Sequence, residues 1–260
     1  LVEVFGDMGL LQLWVPQEYG GPGADLTSVC IVKEEIAKVS ESAALLAANN
    51  SFGLILPILN FGTEAQKRHY LGLAAKGRTI TAVAITESGT GSDVSSMKTR
   101  AVKDGERWVL NGGKIYITFG PVAHFILVFA RTSEGKGANG ISAFIVDTKT
   151  AGFSYGKLDR KMGIRGVPNA PIFFDNVRVP AENMVGPEGQ AFKSCMRILD
   201  LNRPTIGAIS VGLAQGAIDA AVGYGRERKQ FGQPIAEFQG IQFMLADMQM
   251  QTEAARCLLY

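Results

Sequence analysis

Val29, Val32, Ile36, Val39, Ala43 and Leu46 recur at spacings of 3, 4, 3, 4 and 3, the rhythm of one helix face. Lys33, Glu34, Lys38 and Glu41 fall on the other faces, and Asp25 stands where an N-cap belongs. Thr63 to Ala75 repeats the pattern, with Thr63 as its cap and Gly77 just past its end. Residues 1 to about 77 therefore read as helical.

The texture then changes. From Thr79 to Pro180 short runs of Val, Ile, Thr and aromatics are separated by Gly, Asn and Asp. The runs TITAVAIT, KTRAV, RWVLNG, KIYIT, HFILVFART, ISAFIVD and APIFFDNVRV predict strands, with DGERW and the Asn111-Gly112 pair as hairpin turns. Seven short strands at this spacing predict a barrel or sandwich rather than a βαβ sheet.

Helical texture returns after Gly189. The segment FKSCMRILDLN predicts a helix that Pro204 interrupts, because proline has no N–H to donate. A second helix, from Pro204 to Glu227, carries Gly207, Gly212, Ala214, Gly216, Ala217, Ala220 and Ala221. Each glycine costs a helix about 1 kcal/mol relative to alanine. Such a set makes sense where another helix backbone packs very close. A third helix begins near Glu237 and carries Ile241, Leu245 and Met248.

The expected fold class is thus α+β: an N-terminal helical domain (1–77), a central β domain, barrel or sandwich (78–180), which the resemblance named below makes a β-barrel, and the first helices of a C-terminal helical bundle (181–260). Both ends read as cut, since the first residues lack a helix start signal and the last lack a C-cap.

Composition narrows the function. The 260 residues carry a formal charge of +2 with acidic and basic groups interspersed, which leaves no footprint for nucleic acid or an anionic membrane. Cys30, Cys195 and Cys257 are far apart in apolar, helix-like surroundings and read as buried thiols of a reducing compartment, cytoplasm or mitochondrial matrix. His69 and His124 are isolated, so no metal site is expected. No signal peptide or transmembrane span is expected either, since the apolar run Gly207 to Gly225 is broken by Gln215 and Asp219.

Four segments can carry chemistry. In AVAITESGTGSD, residues 82–93, a strand runs into a glycine-rich loop where Gly89 and Gly91 permit positive φ and backbone N–H groups can approach an anion, as in any surface turn of this composition. In WVLNGGKIYIT, alternation puts Tyr116 and Thr118 on one face, a ring and a hydroxyl that suit a flat heteroaromatic ligand or a plain half-buried strand. LDLNRP offers Asp200 and Arg203 at the expected helix break, where Asp200 or Asn202 can also serve as a simple cap. RERKQFG groups basic side chains at a helix C-terminus, a place that favours cations in any case, and Arg228 has the planar guanidinium that binds a diphosphate in bidentate fashion.

Taken in order, ITESGTGSD, NGGKIYIT, KMGIRG with FFDNVRVP, GPEGQAF, LDLNRP and RKQFGQPI with QFMLADM resemble the acyl-CoA dehydrogenase family over essentially the whole chain. The resemblance implies FAD as cofactor, with Ala84, Ile85, Thr86, Gly91 and Ser92 lining it and Tyr116 and Thr118 at its ring. It also implies Ser92 near the thioester, Asp200 and Arg203 on the CoA moiety, and Arg228, Gln230, Phe231 and Gln239 on the FAD of a neighbouring subunit. It implies a homo-oligomer, dimer or tetramer, that dehydrogenates an acyl-CoA and passes electrons to an electron-transfer flavoprotein. Asn49, Asn50 and Ser51 then become polar groups near the acyl end.

Three positions depart from the family pattern. Tyr116 stands where many members have Trp, and Phe119 replaces the usual Asn. Where some branches place their catalytic Glu this chain has Asn202, whose amide has no useful basicity. Glu87 lies in the flavin loop, with no argument for its reaching an α-carbon. The resemblance then implies a base beyond Tyr260, and no catalytic residue is assigned. Two rival readings are a non-catalytic flavin- or CoA-binding subunit of a hetero-oligomer and an oxygen-using enzyme of the acyl-CoA oxidase kind.

Overall fold

A computed structural model describes residues 1–134 and 137–260. The order of elements is α1 (Val2–Asp7), α2 (Leu26–Ala37), α3 (Glu41–Leu46), α4 (Leu56–Phe61), α5 (Glu64–Gln66) and α6 (Gly72–Ala75), then the strands. These are β1 (Thr81–Ala84), β2 (Arg100–Asp104), β3 (Arg107–Thr118), β4 (Phe125–Arg131), β5 (Ile141–Asp147), β6 (Phe153–Tyr155), β7 (Asn169–Pro180) and β8 (Met184–Val185). The long helix α7 (Ala191–Glu227) follows, then β9 (Lys229–Gln230), β10 (Gln233–Pro234) and α8 (Gln239–Leu259). The chain forms two compact units. One holds Leu1–Ala24 and Ala48–Asn202, the other Asp25–Ala47 and Arg203–Tyr260.

In the first unit, eight strands make one sheet with the path β6-β7-β3-β2-β4-β5-β8, and β1 pairs in parallel with β4. The sheet curves enough for Trp108 of β3 to meet Phe144 of β5, ring centroids 5.5 Å apart. Strand β4 shows why its sequence is apolar throughout. Ile126, Val128 and Ala130 enter one core with Phe144, Ile172 and Val177. Leu127 and Phe129 enter another, with Leu54, Ile58, Leu71 and Cys195. A strand buried on both faces has no polar side to alternate with.

The Thr63 cap is present as a full capping box, Thr63 Oγ1 accepting from the Gln66 backbone amide and Gln66 Oε1 accepting from the Thr63 backbone amide. Gly77 ends the segment at φ +65°. Asn111-Gly112, expected as a hairpin turn, instead lies inside β3. Strand β2 pairs with β3 as far as Asn111, and β7 pairs along nearly all of it. The asparagine ties to a bulge on β7, its Oδ1 accepting from the Asn176 amide at 2.8 Å. The glycine is required by proximity, since a Cβ there would stand 2.7 Å from Thr99 Oγ1.

In the second unit, the expected single helix over residues 29–46 is two. Ser40 caps α3 through the Ala43 amide, and Val39, expected on the apolar face, is 92% exposed at the joint. Lys33 and Glu34, expected on polar faces, are buried. Gly212 and Gly216 of α7 lie directly against the Glu34 and Lys38 carbonyls at the end of α2. Small residues do admit a backbone here. Arg256 of α8 donates to Glu34 at 2.8 Å and the Tyr260 hydroxyl donates to it at 2.9 Å, so the buried carboxylate is paired.

Pro204 does not end its helix: α7 is continuous for 37 residues with the proline inside. The loss of about 3 kcal/mol is offset by packing on either side, Ala191, Cys195 and Ile198 before it and Ala208 and Ile209 after it being buried. Cys257, expected buried, is exposed on α8, while Cys30 and Cys195 are buried as expected. Two helical stretches, residues 41–61 and Ala191–Glu227, have the length and hydropathy of a membrane-crossing helix; 67% of the most apolar window of the first is buried, as in a core helix.

Candidate functional site

The glycine-rich loop follows β1 and is anchored from behind. Ile115 N–H of β3 donates to the Thr86 carbonyl at 2.9 Å, and Glu87 and Thr90 exchange two backbone bonds of 3.1 Å that close the turn around Ser88 and Gly89. Lys114 donates to the Ile85 carbonyl and to Glu87 Oε1, both at 2.9 Å. Glu87 also accepts from the Lys98 amide at 2.6 Å and the Thr99 amide at 2.9 Å. Burial pushes the Glu87 carboxyl up, but the Lys114 charge and the bonds from Thr99, Lys98 and Lys114 outweigh it and hold it below the usual carboxylate range. Burial pulls the Lys114 ammonium down, and Glu87 opposes that pull.

The outer side of the loop is open. A Cβ on Gly89 or Gly91 would meet nothing within 4 Å among the described residues, and Gly91 and Ser92 are exposed. Neither glycine uses the positive φ expected for it; its contribution is access to the backbone. Thr86 and Ile85 are half-buried, whereas the Ala84 side chain is fully buried in the sheet core. Of the five loop positions, Ala84 therefore offers a ligand its backbone alone.

Beside the loop, β3 bulges. Lys114 pairs with Ile172 but Ile117 pairs with Ala170, so β3 carries one extra residue. Tyr116 absorbs it at φ +58° and is 68% exposed. Tyr116 and Thr118 thus both face outward, through the bulge rather than plain alternation. Asn169 of β7 donates to Thr118 Oγ1 at 3.3 Å, and the buried Asn169 Oδ1 has no hydrogen-bond partner among the described residues. Phe119 sits at φ +61° with its N–H on the Pro168 carbonyl, in the left-handed region that Asn adopts more readily.

Asn202 Oδ1 accepts from the Ser51 hydroxyl at 2.9 Å. Asn50 and Asn49, neighbours of Ser51, bond to the start of β1. Asn50 donates to the Thr79 carbonyl and accepts from Thr81 Oγ1, and Asn49 accepts from the Thr81 amide. Asp200 and Arg203 are both exposed on α7.

In the second unit, Arg228, Gln230, Phe231 and Gln239 are all exposed and come together at one end. Ile235 N–H returns to the Arg228 carbonyl at 2.8 Å, and the Phe231 ring meets Phe238, next to Gln239, edge-on at 6.2 Å. The hairpin β9–β10 turns on Phe231 and Gly232, both at positive φ.

Lys114 and Asn169 were not singled out from the sequence. Lys114 had a signal: Trp108 and Leu110 point into the core, and the same parity continued to 114 points the lysine inward. Asn169 had none.

Three family models match this chain: acyl-CoA dehydrogenase N-terminal domain over residues 1–78, middle domain over 82–177 and C-terminal domain over 189–260. Probable acyl-CoA dehydrogenase FadE25 of Mycobacterium tuberculosis is 47% identical over 252 residues, covering 97% of this chain and 64% of the relative. Butyryl-CoA dehydrogenase from Megasphaera elsdenii superposes with a TM-score of 0.94 at 41% identity, covering 100% of this chain and 69% of that one. A chain in the structure of the electron transferring flavoprotein of Acidaminococcus fermentans gives a TM-score of 0.96 at 43% identity, covering 100% and 68%. The chain spans about 64% of the length of the first curated relatives it matches.

Proposed function

The chain belongs to the acyl-CoA dehydrogenase family, and from that premise we propose FAD-dependent α,β-dehydrogenation of an acyl-CoA thioester, with electrons passed to an electron-transfer flavoprotein. The observation that carries the reading is the open loop Thr86–Ser92 tied through Thr86 to the bulge that exposes Tyr116 and Thr118.

The residues present fit a flavin. The space a Cβ would take at Gly89 and Gly91 is clear for close backbone approach. Exposed Ser92 and Thr118 supply hydroxyls, Tyr116 supplies a ring, and Asn169 Oδ1 is a buried acceptor in want of a donor. FAD, when bound, supplies the acceptor for the substrate's β-hydride. The chain's own part is to bind and orient: Thr86, Gly91, Ser92, Tyr116 and Thr118 on the flavin, Ser92 also near the thioester, and Asp200 and Arg203 on the CoA moiety. Arg228, Gln230, Phe231 and Gln239 would meet the FAD of a second copy, in a dimer or tetramer.

Glu87 is no base for the α-proton, because its carboxylate is buried and held by Lys114, Lys98 and Thr99. Asn202, an amide hydrogen-bonded to Ser51, is none either.

The test is to isolate the full-length polypeptide, load it with FAD and add acyl-CoA anaerobically. Yellow protein that bleaches supports the reading, and protein that stays colourless after an FAD soak contradicts it.

A further inference from the structure

Glu87 and Lys114 are an ion pair shut away from solvent, their side chains 8% and 0% exposed. A charged pair is a poor way to fill a sheet core, since apolar side chains of equal volume commonly stabilise as well or better. What an ion pair provides and leucine does not is directional bonding. Here, apart from the bond between the two side chains and a longer contact from Lys114 to Met97 Sδ, the bonds go to backbone around the loop. Lys114 holds the Ile85 carbonyl, and Glu87 holds the Lys98 and Thr99 amides at the entry to β2. The pair therefore joins β1, β2 and β3 behind the loop whose other side is open.

We propose that the Glu87–Lys114 pair is a positioning device that fixes the Thr86–Ser92 loop in its FAD-accepting shape before the cofactor arrives, an inference that rests on the flavin reading above. Neither residue touches the ligand. Both act through the backbone they hold.

The experiment compares full-length wild type, Glu87→Gln and the double variant Glu87→Gln/Lys114→Met in the FAD-free state. It measures thermal stability, FAD affinity by fluorescence titration, and amide hydrogen exchange over residues 86–92 and 98–99. Glu87→Gln should lose stability and bind FAD on the order of tenfold more weakly, about what one charge-assisted bond is worth. The double variant should recover stability, because no buried charge is left unpaired, yet keep the weakened affinity and fast loop exchange. Recovery of affinity together with stability would overturn the proposal and leave the pair a mere core element.

Failure of the flavin reading looks different. Wild type would then bind no FAD, while loop exchange would still decide the role of the pair: equal exchange in all three proteins overturns it. Should both variants fail to fold, amide exchange of FAD-free wild type serves: the Lys98 and Thr99 amides that Glu87 holds, and the Glu87 and Thr90 amides of the loop, should exchange far below their intrinsic rates, and exchange as fast as in the exposed turn at residues 105–106 would overturn the proposal.

Discussion

Gly212 lies so close to Glu34 that a Cβ on it would stand 2.1 Å from the Glu34 carbonyl oxygen. Gly216 stands in the same relation to Lys38, also at 2.1 Å. Helix propensity alone favours alanine at each position by about 1 kcal/mol. Backbone cannot swing away as a side-chain tip does, so the clash wins. Gly212→Ala and Gly216→Ala should each destabilise the protein by a net ~1–3 kcal/mol. Gly223→Ala, in the same helix with open space beside it, should stabilise by up to about 1 kcal/mol. Denaturant unfolding of the three variants checks the contrast in sign.

Lys33 provides a pH signature. Burial pulls its ammonium down to about 8 from an ordinary 10.5. The folded pKa of this base lies below the unfolded one, so between those values the unfolded chain binds more protons and stability rises with pH. Below about 8 the cost of charging or burying it is fully present. Lys33→Met should therefore stabilise near neutrality by on the order of 2–3 kcal/mol, and the gain should shrink as pH climbs through 8 to 10.5. Urea midpoints of both proteins across that range check it.

Arg256 pairs with Glu34, whose side chain is only 8% exposed. Arg256→Met leaves that carboxylate with the Tyr260 hydroxyl alone of these two donors. The variant should lose about 3 kcal/mol, the low end for breaking a buried pair, since Arg256 itself is partly exposed. Adding Glu34→Met to it should restore much of the loss, measured by the same unfolding curves.

Tyr116 holds positive φ while largely exposed, so its strain is not repaid by burial. Tyr116→Gly should raise stability by up to about 1 kcal/mol, the left-handed cost relieved less the entropy glycine adds to the unfolded chain. FAD affinity should fall in the same variant. Calorimetry with and without FAD separates the two effects.

Much of the fold was legible because local chemistry decided it. Asp25 accepts from the Ser28 amide and Thr63 forms its capping box where the sequence placed them, since caps involve neighbours in the chain. The small residues of α7 announced a close backbone without naming α2. The misreadings share a cause. Pro204 and Asn111-Gly112 are local stop signals that distant packing overrode, the first by cores on either side of it, the second by β2 and β7 pairing along one long strand. The short strands β6 and β8 exist through their partners and leave little pattern of their own. At the site, Tyr116 and Thr118 are both exposed, and the bulge that turns them out depends on register with β7. Lys114 lay in a run whose parity pointed it inward, and its meaning emerges only with Glu87 beside it.

The central claim is that the Thr86–Ser92 loop and the Tyr116–Thr118 bulge form an FAD site that oxidises acyl-CoA. The most direct measurement is anaerobic titration of the FAD-loaded full-length protein with acyl-CoA, following flavin absorbance in wild type and in Gly91→Val, which fills the open side of the loop. Wild type should take up FAD and bleach on adding thioester, and Gly91→Val should fold but bind FAD poorly. A wild type that binds no FAD, or a Gly91→Val variant that binds and bleaches as wild type does, would contradict it.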